Sequence, residues 1–547
     1  MTAEATEVWS FLTATHRRRR RARGSRLAYV VYVVILAAVV YGGPLILRAV
    51  RSVQRTPRHT VTTTHLLLAM PDSLSALTLL VVVALARQAI WRGPVVLDAP
   101  DADWLLPLPL SRTTLLRPKF GASLISGAVL ALLAGVVGSL VLRSYALGAE
   151  GGLLLASVVA AVLICVTGLS AAALVERSQR LSRLTLTWSP LLIGIAVAAF
   201  GLGVATAAGV GLGDVGTVVT WSGPWGWSTQ LVMHAAGDGA SHWPVGAALL
   251  AVTCAASLLV ARAAVPQIAG RSLRQRAATA GAVGAAVFLG EFRDARLAIR
   301  DVGRGPARRR SLRLPVHRSL AVVWRDLSAL RRSLGAAAWT LPFLGVLALA
   351  LHVAVDQRQG RHTIIPIGFA LIGGYIAALQ LVEPARLDAD DPRRTRWSPY
   401  PAAALAQRHA VVPTVLLAVV GLVAALVGSP WLGLHHAVLA AAAACVLSPV
   451  LVATALVSGY RGRVPLQLMF SGPDIGFGPT GPVLVAAWYL YGPITVLVAG
   501  EMTLLPLVGA WRHGSPPTVP VLQAIAIGAG WTAVILWWVG ARARRRR

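Results

Sequence analysis

The sequence predicts an all-α, polytopic membrane helix bundle of about twelve transmembrane helices, arranged as two parallel six-helix repeats with interfacial amphipathic helices beside them. Three observations predict it. The 547-residue chain is 56% hydrophobic and only 13% charged, about half the charge of a soluble domain. Its apolar residues fall in runs of ~20, the length that crosses a ~30 Å hydrocarbon layer as a helix. Two polar loops, 290 residues apart at their first matching leucine, carry the same ordered set of residues.

Twelve segments qualify as spans: 27–47, 73–91, 121–142, 152–175, 187–212, 244–260, 335–355, 363–382, 410–429, 437–458, 480–502 and 519–540. Each must be a helix, because lipid offers no partners to open backbone groups. The first is too long for the apolar core of a cleaved signal peptide and reads as an anchor that stays. The resulting divisions are a basic N-terminus with an interfacial helix (1–26), a first half (27–260), a basic linker with amphipathic helices (261–334), a second half (335–540) and a basic tail (541–547).

The formal charge of +30 invites a nucleic-acid reading. Its distribution argues against one. The runs Arg17–Arg21, Arg308–Arg310 and Arg542–Arg547 flank apolar segments, where arginine orients spans and meets anionic lipid. With the N-terminus inside, inner segments hold 42 of the 51 Lys and Arg, outer loops hold 8, and Arg87 lies inside a span. Both termini are therefore expected in the cytoplasm, with the chain in the cell membrane. Arg48, Arg51, Arg55 and Arg58 in the first outer loop run against that count. In the linker, Phe288, Phe292, Ala295 and Ile299 share one helical face and Arg293, Arg296 and Arg300 another. Leu320, Val323, Leu327 and Leu330 repeat similarly. Such faces suit helices lying in the interface.

The repeat is clearest after spans 2 and 8. The first loop reads Leu97-Asp98-Ala99, Asp101, Asp103, Trp104, Pro107, Pro109, Ser111, Arg112. The second reads Leu387-Asp388-Ala389, Asp390, Asp391, Trp397, Pro399, Pro401, Arg408. Val8-Trp9 precedes span 1 much as Val323-Trp324 precedes span 7. Six spans per half make the copies parallel, with a pathway expected at their interface. Pro107 and Pro109 preclude a regular helix, and Ser111 is placed to cap the helix that follows. A stiff elbow and then a short helix against the membrane face are expected, with the aspartates free to pair with arginines.

The segment Asp103-Trp-Leu-Leu-Pro-Leu-Pro-Leu-Ser-Arg112 resembles the loop between spans 2 and 3 of ABC exporter permeases with six spans per half. In that family this loop contacts the ATPase subunit, and small re-entrant helices lie between spans 5 and 6. The resemblance implies a fused twelve-span permease whose elbow residues in both loops couple to a separate ATP-binding subunit that carries ATP and Mg. Residues 213–243, with Trp221, Trp225 and Trp227, occupy the re-entrant position; 503–518 are the shorter counterpart. The second loop departs from the pattern, with Arg393, Arg394 and Arg396 and no Leu-Leu pair.

No G-x-x-x-x-G-K-[ST] loop exists, since Lys119 sits between Pro118 and Phe120. The chain is expected to bind no cofactor itself and to have no catalytic or metal-ligating residues of its own. The spans contain two formal charges, Arg87 and Glu501, both read as near span ends. Lacking midplane carboxylates, they favour an externally driven carrier of hydrophobic or amphipathic cargo; Glu501 is a possible pathway residue. His435-His436 lacks helical metal spacing, and Cys165, Cys254 and Cys445 fall in apolar segments as packing residues. Two other classes stay open. One is a membrane prenyltransferase-like enzyme whose loop aspartates hold Mg²⁺ and pyrophosphate. The other is a membrane assembly protein without cargo.

Overall fold

A computed structural model describes residues 60–144, 150–207, 214–237, 242–288, 292–301, 313, 315–332, 337–356, 364–390, 398–462 and 481–545. The described residues are helical, with no strand among them. The expected first span, 27–47, and the Val8-Trp9 segment lie outside them, as does most of the basic linker between 302 and 314. The remaining eleven predicted spans coincide with helices.

In the first half these are α1 (Thr60–Gln88), α2 (Ala99–Trp104), α3 (Arg112–Ser144), α4 (Glu150–Arg177), α5 (Gln179–Ala207), α6 (Asp214–Trp221), α7 (Pro224–Ala236) and α8 (Trp243–Ala264). The linker holds α9 (Gly270–Phe288), α10 (Phe292–Asp301) and α11 (Ala321–Arg332). The second half holds α12 (Thr340–Asp356), α13 (Ile364–Leu381), α14 (Glu383–Asp390), α15 (Ala402–Arg408), α16 (Val411–Leu432), α17 (Leu434–Gly459), α18 (Gly481–His513) and α19 (Thr518–Arg545).

Among the described residues, nine helices are long and apolar enough to cross a membrane, and α13 with α14 adds a tenth if that pair, bent by 61°, counts as one. This is a multi-pass membrane protein. At 17 residues α12 is short for a crossing. The long helices run up and down, so the loop after α1 and the loop after α13 share one end of the bundle, here the elbow end.

The faces left bare are apolar, as lipid requires. On α3, Ile125, Val129, Leu130, Leu133 and Val137 are at least half exposed. The packed faces use small residues. Gly135 of α3 meets the backbone of α4: a Cβ there would lie 2.7 Å from Val158 Cα and 2.9 Å from the Ser157 carbonyl. Backbone cannot yield as a side chain can. Gly135→Ala is therefore expected to splay α3 from α4 and cost about 1–3 kcal/mol, read as a lower melting temperature of the purified chain. In the second half the last twelve residues of α17 are nearly all buried, in the centre of the largest core. The halves meet where Ala338 and Trp339 pack on Leu79, Val83, Ile193 and Ala196 of α1 and α5.

Three expectations are corrected, on the helix after the elbow, the 503–518 counterpart and the single face drawn from Phe288 to Ile299. The helix after the elbow is not a short piece followed by a span, because α3 runs unbroken for 33 residues with Pro118 inside it. Residues 503–518 form no re-entrant element: α18 continues to His513, and Gly514, at φ 61°, turns the chain into α19. The basic tail is helical as far as Arg545. Leu273 and Ala277 of α9 enter the elbow-end core of the first half, and the linker's Phe288–Ile299 face is divided between α9 and α10.

The stretch 213–243 does form two short helices. α6 and α7 make a hairpin whose ends lie at the far end of the bundle and whose tip is the Ser222-Gly223 turn. α7 packs against α1, α4 and α8. Thr78 donates to the Trp225 carbonyl at 3.0 Å, and Ser75 donates to the Thr229 hydroxyl at 3.2 Å. Thr78 lies ten residues before the end of α1, so the tip sits roughly 15 Å from the elbow end, near the middle of a ~30 Å layer.

Candidate functional site: the elbow end of both halves

Each predicted elbow residue of the first half has a definite place. Asp98 stands at the N-cap position of α2 and Asp103 is exposed. Asp101 takes a 3.2 Å ion pair from Lys119 on α3. Trp104 is 78% exposed and Leu108 43% exposed, and Pro107 and Pro109 are exposed between them. Ser111 accepts from the Thr114 backbone at 3.3 Å, the expected cap. Arg112 donates to the Ile268 carbonyl at 3.0 Å. An aromatic and a leucine thus project from a loop whose roots are fixed. Fixing comes from a core of Val95, Leu97, Ala102, Leu116 and Phe120 against Ala261, Ile268 and Leu273.

Beneath this loop lies a pair that sequence reasoning missed. Glu176 at the end of α4 and Arg276 of α9 stand 3.2 Å apart, with side chains 0% and 10% exposed. Glu176 also accepts from the Val95 backbone at 3.2 Å. Arg276 donates to the Glu176 carbonyl at 3.1 Å and to the Ile90 carbonyl at 3.4 Å. Burial lowers the Arg276 pKa and Glu176 opposes that shift. Gly93 is required here: its φ is +71°, and a Cβ would lie 2.4 Å from a Glu176 carboxylate oxygen. The pair joins partners about a hundred residues apart, so no local pattern marks it.

The loop after α13 is drawn inward. Asp388 lies on α14 and is buried, with Arg325 of α11 hydrogen-bonded to it. His409, completely buried between α15 and α16, stands between two carboxylates. Its Nδ1 is 2.8 Å from Asp326 and its Nε2 is 3.3 Å from Asp388. Arg325 also lies 3.2 Å from Nε2. Tyr460 is buried beside this knot; desolvation raises its phenol pKa, and Asp388 and Asp326 add to the rise. The helix α11 is thereby fastened to α14 and to the start of α16. Asp390 ends α14, while Asp391 and Trp397 lie outside the described residues. Pro399 is exposed, Pro401 precedes α15, and the Arg408 guanidinium lies 3.5 Å above the Tyr400 ring.

His409 and Asp326 were not singled out from sequence. A signal existed: the 290-residue offset relating Leu97 to Leu387 also relates Lys119 to His409. In each case a base that follows the Pro-x-Pro elbow pairs with an aspartate on the short helix that precedes it.

Glu501 is half-buried near the middle of α18, not at a span end. Arg87 reaches Ser189 on α5. Away from the elbows, α1, α3, α4 and α7 enclose a lateral groove of ≈ 590 Å³. Leu77, Val81, Leu85, Leu130 and Leu169 line it, with Arg92 and Gln88 at the elbow end and Ser228 and Thr229 beside the hairpin. At the same end of the second half, Arg542 lies over Trp488 and Trp538, at 5.2 and 4.9 Å, the pairing found at membrane interfaces.

Compared with known protein families, characterised proteins and solved structures, the chain matches none.

Proposed function

We propose that this chain is the membrane-spanning permease of an ABC-type exporter, moved by a separate ATP-binding subunit docked at the cytoplasmic elbow end and carrying a hydrophobic or amphipathic cargo. The observation that carries the reading is the exposed Trp104-Leu108 tip on a rigidly rooted loop. An aromatic held out in water on a fixed base is the residue type that anchors protein interfaces. Its roots reach α3 through the Ser111 cap and α8–α9 through Arg112, so a push on the tip is delivered to spans. The apolar lateral groove supplies a surface for cargo and for membrane lipid. The loop aspartates meet Lys119, Arg325 and His409, which favours a mechanical role over the holding of Mg²⁺ and pyrophosphate. In this reading both termini are cytoplasmic, the protein lies in the cell membrane and contacts no nucleic acid, and the second elbow, with Asp388 and Asp390, transmits less directly than the first.

Trp104→Ala is expected to weaken binding of the ATP-binding subunit by about 2 kcal/mol, roughly thirtyfold in Kd, measured by titration in nanodiscs. Pro107→Ala with Pro109→Ala should leave insertion intact and uncouple ATP hydrolysis from transport in proteoliposomes. Normal coupled transport by that variant contradicts the assignment.

A further inference from the structure

The apolar run of the second span was read from residue 73, yet α1 begins at Thr60 and carries Pro71-Asp72-Ser73 well inside it. Asp72 is 16 residues from the end at Gln88, roughly 24 Å above the elbow end and so within the hydrocarbon depth. The spans thus contain a buried carboxylate that hydropathy hid. Asp72 is 2% exposed, and its Oδ1 has no hydrogen-bond partner.

Its surroundings are built from close backbone approach. Gly216 of α6 faces it: a Cβ there would sit 3.4 Å from both carboxylate oxygens. On the other side Gly203 of α5 admits Ala69 and Ser73. Ser75, one turn on, is engaged with Thr229 of α7. Asp72 therefore lies where the re-entrant hairpin seats on α1.

Among the described residues no cation answers it. On α1 itself His65 is two turns toward the far end and Arg87 is at the elbow end. On α5, Arg180 and Arg183 sit at the elbow end, and α6 carries Asp214 at its first position. On α7, His234 is stacked on Trp243. α4 carries Glu150 at the far end and Glu176 and Arg177 at the elbow end, and α8 carries Arg262 at the elbow end. A charged carboxylate left so costs several kcal/mol in a low-dielectric site, which a bound proton relieves. A metal ion would need a shell of oxygens. The hydroxyls beside it on α1 are turned elsewhere, Ser73 against Gly203 and Ser75 to Thr229.

We propose that Asp72 is an intramembrane proton-binding site that links proton uptake to the seating of the α6–α7 hairpin. The carboxylate takes one proton from water at the far end when the hairpin lifts, and the neutral acid lets the hairpin close on α1. Release reverses both steps, with no other bond made or broken. The inference needs only a membrane-embedded bundle, so it stands apart from the ATP-driven reading.

The full chain in liposomes is treated with a hydrophobic carbodiimide, which reacts with protonated carboxyls in apolar surroundings, and modification is mapped by mass spectrometry over a pH series. Asp72 should be modified in acid, and modification should fall about tenfold per pH unit above its midpoint. Modification of Glu501 reports entry of the reagent. Asp72 unmodified while Glu501 reacts, or modified equally at every pH, overturns the site. A second readout needs no reagent. The acid-minus-alkaline infrared difference should contain a protonated carboxyl band that Asp72→Asn abolishes, and an unchanged band overturns the proposal. If Asp72→Asn fails to assemble, the wild-type pH series decides alone.

Discussion

His409→Leu is expected to lower the stability of the chain by about 3–5 kcal/mol and to free the helix α11, because the leucine removes the one group that touches both buried carboxylates. Asp326 and Asp388 are 2% and 5% exposed, and His409 touches both. Without the ring, Asp326 loses its bond to Nδ1 while Asp388 keeps Arg325, whose side chain is 41% exposed. Two measurements check it. The melting temperature in detergent should fall. Trypsin should cut after Arg331 and Arg332, both exposed at the end of α11, much faster than in wild type. His409→Asn keeps one donor and should fall between the two. Equal cutting in all three would show that α11 is held by other contacts.

The second large effect is expected from Arg276→Ala. It strands the Glu176 carboxylate, fully buried, with the Val95 amide as its remaining bond. Breaking a buried pair from one side costs about 3–5 kcal/mol, whereas replacing both partners with apolar groups of similar size is often neutral. Arg276→Met combined with Glu176→Leu should therefore be markedly more stable than Arg276→Ala. Because the pair also holds the 90–97 turn, Arg276→Ala should loosen the elbow and increase hydrogen exchange across Leu97–Arg112. If the single and double variants melt alike, the pair does not fasten the loop.

The fold was legible wherever one physical requirement acted alone. A run of ~20 apolar residues permits few outcomes, and eleven runs coincide with helices. The Ser111 cap was legible for the same reason, since serine before a helix after two prolines has one obvious use. What escaped needed two parts of the chain at once. Glu176 and Arg276 are neighbours only after α9 folds back under the elbow. His409 is a lone histidine until α11 brings Asp326 to it. Asp72 was hidden because Pro71-Asp72-Ser73 breaks the hydropathy of a helix that neighbouring glycines nevertheless allow to be buried. Two short helices do fill the stretch from Asp214 to Ala236, whereas the helix α18 runs on through Gly492-Pro493 and Pro506 to His513.

The functional reading requires both elbows to face the cytoplasm, and accessibility labelling tests that requirement most directly. In a chain with Cys165, Cys254 and Cys445 replaced by alanine, Trp104→Cys and Pro399→Cys each place a thiol at an exposed elbow position. With a membrane-impermeant maleimide, both should stay unlabelled in intact cells and react after the inner face is opened. Labelling of either one in intact cells would put the elbows on opposite sides, or both outside, where no ATP-binding subunit could drive them.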